Sequence, residues 1–396
     1  MSELNYQVTG QPSLVWVYPD SLSERLDSAT WIETTRELYR LGWTVTLLTR
    51  DPAPGRQTIR GVEVFSLKSR DIYLLGQLLF HLKVISYVLR RWRQVDIVFF
   101  TQLSGFWLLF PLRLVRLITL RKRPLLVMDT RDLDDPVPGN LRIQLRIWFH
   151  KSVFFMADIL ADGHTAITIR MAKLVGMPEN QLLGIWPSGV DPKSFSPAYT
   201  MRKWPAAEDP LHLMYLGILL ENRHPAELIR AVEQANAAGK SIQLSLVGDG
   251  PDRAALEPMI ERTAGRVRII PPVPHEEIPN MLAHAHIGVT SLPDPDDVIY
   301  QASSPIKLFE YMAAGLPIIA TRNVCHTDVV GDGKFVFWAD KTDEASLLEA
   351  INASWDKRMD LAKLGHEALD AVQDWTWTAA GKKLSAALAK GLARTT

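Results

Sequence analysis

Short apolar runs alternate along the chain with longer stretches whose apolar positions recur every three or four residues. "SLVWVYP" (13–19) predicts a strand, and "RLDSATWIETTRELYRLG" after it has helical spacing and stops at Gly42. "TVTLLTR", "VDIVFF", "PLLVMDT" and "DILADG" continue as strands, each followed by a helix-length segment. Such alternation predicts parallel pairing through crossovers. "AYTMRKWPAAEDP" then breaks the rhythm with proline and charge and predicts a linker. Beyond it five buried-type strands follow, "LHLMYLG", "IQLSLVG", "VRIIP", "HIGVTSL" and "LPIIATR", the pattern of a second doubly wound unit. The closing "WTWTAAGKKLSAALAKGLARTT" predicts a helix with no strand after it, which must pack elsewhere, for instance by crossing back to the first domain. These breaks place an N-terminal domain at 1–195, a linker at 196–210, a C-terminal domain at 211–374 and a terminal helix at 375–396. No short-period repeat or low-complexity tract interrupts them.

Composition changes this picture little. A chain of 396 residues, 47% hydrophobic, is long enough for two cores of ordinary domain size. Its 44 basic and 44 acidic residues balance, so the total charge gives no reason to expect a nucleic-acid partner. The single cysteine, Cys325, excludes an intramolecular disulfide framework and a thiolate metal cluster, which fits a reducing, cytoplasmic compartment. The first twenty residues lack a basic segment followed by an apolar core, and no apolar run approaches the roughly 18 residues that span a bilayer. The expectation is a protein neither exported nor transmembrane.

The distribution of charge is less even than the total. Between Ile72 and Pro124, "IYLLGQLLFHLKVISYVLRRWRQV" and "GFWLLFPLRLVRLITLRKRP" carry nine Lys or Arg and one acid, Asp96. Leu, Phe, Trp and Ile mix there with arginine at helical spacing, the composition of helices lying at a bilayer interface. Each cation near an anionic surface contributes about 1 kcal/mol. The alternative is a pair of core helices with basic ends.

Candidate chemistry concentrates in "SSPIKLFEYMAAGLPIIATR" (303–322). Ser304 is a good N-cap and Pro305 suits the first helical position, so a helix is predicted from there to about Ala314, with Gly315 as its stop. Its free N–H groups and dipole favour an anion. Lys307 in the first turn opposes that dipole by a few tenths of a kcal/mol, a cost that a bound phosphate removes. Glu310, three residues on, shares the face of Lys307 and can accept two hydrogen bonds from a diol. A capped amphipathic helix with a solvated Lys–Glu pair explains the same letters.

That stretch resembles the nucleotide-sugar motif of glycosyltransferase family 4, whose members are retaining enzymes of the GT-B architecture. "LHLMYLGILLENRHPAELIRAV", "LSLVGDGPDRAALE" and "RVRIIPPVPHEEIPNMLAHAHIGV" resemble successive units of the family's C-terminal domain, and "WPSGVDPKSFSP" the segment before its linker. The resemblance implies two Rossmann-like doubly wound parallel-sheet domains facing each other across a cleft. It implies transfer of a sugar from a UDP- or GDP-sugar to an acceptor hydroxyl, with the donor on the C-terminal domain. Many related enzymes glycosylate lipid-linked acceptors, so the acceptor is expected to be a lipid-linked or membrane-associated glycan, met at the inner face of the cell membrane.

Carried across residue by residue, the resemblance puts Glu310 on the donor ribose, Ser303, Ser304 and Pro305 beside the pyrophosphate, and Gly217 at the tight turn next to the phosphates. Gly248 and Val273 fall in the nucleotide-side loops. Where the family has an arginine after the first glycine and a lysine five residues later, this chain has Ile218 and Arg223. Lys307 is a candidate for the missing charge. Ala302 stands eight before Glu310, where the family often has a second glutamate, leaving Asp294, Asp296 or Asp297 as substitutes. In the first domain "VMDTRDLDD" ends a predicted strand, and Arg131 and Asp132 are candidates to meet the transferred sugar or the acceptor. The first loop has no glycine; Asp20, Ser21 and Ser23 are placed on the acceptor side.

Rival chemistries have weaker support. "GDGPDR" has Arg253 where a dinucleotide fingerprint needs its third glycine, against a nicotinamide site. "DLD" (132–134) and "DPD" (294–296) resemble metal-binding carboxylate pairs, but such triplets are common in loops; no cofactor and no required divalent metal are expected. His164 is read as a cap or cleft residue and His275 as a helix cap. A nucleotide-sugar epimerase of the same architecture, or a degenerate, non-catalytic membrane-bound relative, remains open.

Overall fold

The computed structural model describes residues 11–22, 28–50, 54–59, 61–67, 73–133, 141–291 and 296–394. The chain forms two compact units, the first comprising 1–188 together with 377–396, the second 189–376.

Unit 1 is built on eight strands: β1 Ser13–Val17, β2 Thr44–Thr49, β3 Gly55–Ile59, β4 Val62–Ser66, β5 Ile97–Thr101, β6 Leu125–Thr130, β7 Gly163–Ala166 and β8 Leu182–Ile185. Their order is β3-β4-β2-β1-β5-β6-β7-β8, parallel except for the antiparallel β3–β4 edge pair. β6 is buried at every position, as a strand covered on both faces must be. One face packs against the helices Tyr73–Arg90, Gln102–Ile118 and Leu141–Leu160 through Phe80, Leu108, Leu112 and Val153. The other carries Trp16, Trp31 and Trp186, with Trp16 edge-on to both neighbours at 5.3 and 5.8 Å. The terminal helix Trp377–Ala393 belongs to this second face. Leu384 and Leu388 enter its core, Gly381 lies against Glu37, and Trp43 donates to Ser385 at 2.8 Å.

Two details differ from the sequence expectation. "DILADG" is not a strand: Asp158–Leu160 close the long helix and β7 starts at Gly163, because the apolar spacing of the helix runs on to Leu160. His164 lies inside β7, fully buried with Nε2 at 3.2 Å from Gln181, so it is neither a cap nor a cleft residue. Burial lowers its pKa to about 4, and it stays neutral.

Unit 2 has six parallel strands: β9 Leu211–Leu216, β10 Ile242–Val247, β11 Val267–Ile270, β12 Ile287–Thr290, β13 Ile318–Thr321 and β14 Val336–Ala339. The order β11-β10-β9-β12-β13-β14 is the doubly wound one, with its reversal between β9 and β12. In such a sheet ligands sit beyond the carboxyl ends of the strands at that reversal. Residues 196–210, read from sequence as a linker, include the helix Pro197–Met201 and the buried Arg202. Arg202 donates to the carbonyls of Gly315, Leu282 and Ala314 at 2.8–3.0 Å, which fastens this segment to unit 2.

Candidate functional site

β9 ends at Leu216 and the chain turns at once through Gly217. Gly217 has φ +144°, and a Cβ there would sit 2.6 Å from Lys307 Nζ. One strand over, Gly248 follows β10 with φ +151°, and a Cβ there would lie 1.9 Å from the Gly217 carbonyl oxygen. Only glycines allow these two backbones to approach each other and leave room for the lysine.

The helix carrying Lys307 runs from Ile306 to Ala313. Pro305 occupies the N-cap position without a side-chain cap, one residue later than the sequence predicts, so Ser304 lies outside the helix. Its extended ψ of 100° keeps Pro305 out of the first turn. Gly315, at φ +61°, ends the helix as expected. The first-turn amides of this helix face no capping side chain of Pro305, and Lys307 stands among them.

Lys307 Nζ lies 4.5 Å from the centre of the Tyr215 ring. Burial, then the nearby Arg223, lower its pKa to about 7, while Glu310 pulls the other way. Arg223 sits at the end of the short 3-10 turn Glu221–Arg223, its guanidinium 4.4 Å from the Tyr300 ring. Asn222 donates to the Tyr300 hydroxyl at 3.1 Å and Ser291 Oγ to the Arg223 carbonyl at 2.7 Å, so the turn is held from two sides. The Nη1 of Arg223 is buried and has no hydrogen-bond partner among the described residues. Among the described residues neither Arg223 nor Lys307 has an ion-pair partner.

Glu310, one turn beyond Lys307, is buried and accepts from His275 Nε2 through Oε1 at 2.8 Å. His275 begins the 3-10 turn His275–Glu277, directly after the loop that contains Val273. Its side chain reaches the glutamate instead of capping a helix. Tyr311 fixes the helix from below, accepting from Leu216 N at 2.9 Å and donating to the Val289 carbonyl at 3.1 Å, so the helix is bonded to both strands flanking the sheet reversal.

Of the residues singled out from sequence, Gly217, Gly248, Arg223, Lys307 and Glu310, with Ser303, Ser304 and Pro305 leading into the helix, all lie at the carboxyl edge of the unit 2 sheet. Ile218 is exposed and supplies no charge. Ala302 is buried. Asp297 is committed to capping the helix Val298–Gln301 through Ile299 N at 3.0 Å; Asp294 and Ser23 fall outside the described residues. Sequence reasoning gave no site role to Tyr215, Tyr300 or the His275–Glu310 pair.

Arg131 and Asp132 belong to the carboxyl edge of unit 1. Arg131 lies 3.8 Å over the Trp186 ring and donates to the Trp186 carbonyl and Ser188 Oγ at 3.2 and 3.1 Å. Its Nη1 is 3.9 Å from Asp129 Oδ2. Asp132 is exposed and accepts from Gln102 Nε2 at 3.2 Å. Among the described residues no three histidine, cysteine or acidic side chains gather as a metal site would require.

Two doubly wound units with mostly parallel sheets of eight and six strands, the second with two cations at its reversal, have the GT-B fold. Residues 210–357, within unit 2, match the family described as Glycosyl transferases group 1. Over 187 residues the chain is 28% identical to D-inositol 3-phosphate glycosyltransferase of Corynebacterium diphtheriae, a match covering 44% of this chain and 42% of that protein. Among solved structures it is similar to sucrose-phosphate synthase from Thermosynechococcus elongatus, with TM-score 0.74 and 17% identity over 98% of this chain and 100% of that one. It is similar to Anabaena HepE in complex with UDP-glucose, with TM-score 0.70 and 16% identity over 95% and 99%. The catalytic domain of starch synthase IV from Arabidopsis thaliana, bound to ADP and acarbose, gives TM-score 0.74 and 12% identity over 98% and 100%. The family match lies in unit 2, and the likenesses to solved structures show the fold.

Proposed function

We propose that the protein is a retaining glycosyltransferase of family 4 type that moves a sugar from a UDP- or GDP-sugar to an acceptor hydroxyl. One observation carries this. Arg223 and Lys307, two cations without an ion-pair partner among the described residues, stand together at the sheet reversal beside glycines that keep the backbone open. Two like charges so placed repel, and burial makes them costlier. A diphosphate reverses both effects and accepts hydrogen bonds from the orphaned Arg223 Nη1. HepE, a structural neighbour, was solved with UDP-glucose.

In this mechanism the negative charge that develops on the leaving diphosphate is stabilised by Arg223, Lys307 and the first-turn amides of the helix that begins at Ile306, which are fixed before reaction. Glu310 accepts from the ribose hydroxyls and Val273 lies in the loop beside the base. The diphosphate oxygen takes the acceptor's proton, so a separate protein base is not needed. Protein cations and amides do the neutralising, and no divalent metal is required. Arg131 and Asp132 meet the sugar or the acceptor.

For the acceptor we propose a lipid-linked or membrane-associated glycan, met at the cytoplasmic face of the membrane. On the helix Gln102–Ile118, Phe106, Phe110, Leu114, Leu117 and Ile118 are exposed, Ile118 to 72%. No helix among the described residues is long and apolar enough to cross a bilayer, so an interfacial contact fits better than a span. Fewer cations serve that contact than the sequence suggests. Arg113 and Arg116 pair with Asp162, and Arg123 with Asp96.

A calorimetric panel of nucleoside diphosphates and their sugars tests the donor site: selective micromolar binding of UDP or GDP compounds is expected, and no binding of any would remove this function. Co-sedimentation with phosphatidylglycerol vesicles tests the membrane face, with loss of binding expected for Phe110→Glu.

A further inference from the structure

We infer that His275 is the positioning residue that turns the Glu310 carboxylate toward the ribose diol, so that this one contact couples the base-side loop to the ribose clamp. The inference rests on the donor site proposed above and adds a residue to it.

A buried carboxylate on a short helix has free rotation about its last bond unless something holds it. Here Glu310 Oε1 accepts from His275 Nε2 at 2.8 Å, and it has no other hydrogen-bond partner among the described residues. The Nε2–H therefore fixes one oxygen and sets the plane of the group, leaving Oε2 and the second lone pair of Oε1 to accept from two adjacent hydroxyls.

The ring is itself held. Phe195, fully buried at the end of the helix Pro192–Phe195, meets the imidazole edge-on with centroids 5.8 Å apart. His275 follows Val273 by two residues, in the turn that leaves β11, while Glu310 is 35 residues further on, in the helix that precedes β13. Among the described residues no backbone hydrogen bond links the two segments at this point; the side-chain pair does. A nucleoside whose base settles beside Val273 thus meets a carboxylate already set at the right angle, which is preorganisation in its ordinary sense.

The test compares UDP with 2′,3′-dideoxy-UDP by isothermal titration on the full-length protein. The wild type is expected to prefer the ribose form at least tenfold. His275→Asn, too short to place a donor at the Nε2 position, is expected to weaken UDP about tenfold and leave the dideoxy compound within twofold, so that discrimination disappears. His275→Gln, whose amide reaches that position, is expected to restore most of it. Loss of affinity for both compounds alike, or full discrimination in His275→Asn, would overturn the positioning role while leaving the donor site in place. Failure of the wild type to bind either compound, or GDP and its dideoxy form, would remove the donor site and this role with it.

Discussion

Each unit places an arginine on an aromatic ring at the carboxyl edge of its sheet, and the two arginines are treated in opposite ways. In unit 1, Arg131 over Trp186 has a carbonyl and a hydroxyl as acceptors and Asp129 as a buried counter-charge. Asp129 in turn accepts from Trp186 Nε1 and Thr165 Oγ1. Burial raises the Asp129 pKa, and Arg131 opposes that rise. In unit 2, Arg223 over Tyr300 keeps a buried Nη1 without a partner among the described residues, and its charge acts on the nearby Lys307. A charge satisfied within the protein holds structure together; a charge left open waits for a ligand. That difference supports the anion site proposed in unit 2.

Breaking the open pair has the largest expected effect. Arg223→Gln with Lys307→Met removes two charge-assisted contacts of about 1.5–3 kcal/mol each, so UDP affinity is expected to fall at least 100-fold by titration calorimetry. The same double variant is expected to melt at a temperature no lower than the wild type, because it removes charge that burial disfavours. A fall in both quantities would mean that the pair is structural. The mirror change, Arg131→Gln, leaves Asp129 buried without its cation. It is expected to cost about 2 kcal/mol in chemical denaturation while nucleotide affinity stays within twofold. Glu310→Ala sharpens the contrast within unit 2: activity is expected to drop about tenfold with the melting transition unchanged, and near-normal turnover would contradict the ribose role.

How legible this was depends on distance along the chain. Strands rich in Val, Ile or Leu, such as β6 and β10, stand out from sequence because nearly all their positions are buried. β3, "GRQTI", does not, since an edge strand can be polar, and β14, "VFWA", is only four residues long. Lys307 and Glu310 could be placed on one face because helical spacing fixes neighbours three residues apart. The His275–Glu310 bond could not: the residues are 35 apart and meet only through the winding of unit 2. Tyr215 and Tyr300 look like ordinary core letters, and only the cations stacked on them show their part.

The smallest expected effect is the most specific to the open pair. In the folded protein Lys307 releases its proton above about pH 7, whereas in the unfolded chain it holds the proton to about pH 10. Between those values the unfolded state binds more protons, so this group makes stability rise with pH from 7 toward 10 and adds no slope below 7. Diphosphate binding has the opposite sign, because a bound dianion restores the proton to Lys307. At pH 8 binding should therefore take up close to one proton, seen as a dependence of the titration enthalpy on the ionisation enthalpy of the buffer. Affinity should weaken roughly eightfold between pH 7.5 and 8.5, where UDP itself is already largely ionised. Lys307→Met should abolish both the uptake and the slope. Arg131, paired with a carboxylate in unit 1, should leave both unchanged when replaced by Gln. Proton uptake that persists without Lys307 would move the titrating group elsewhere and leave Arg223 as the diphosphate's cation.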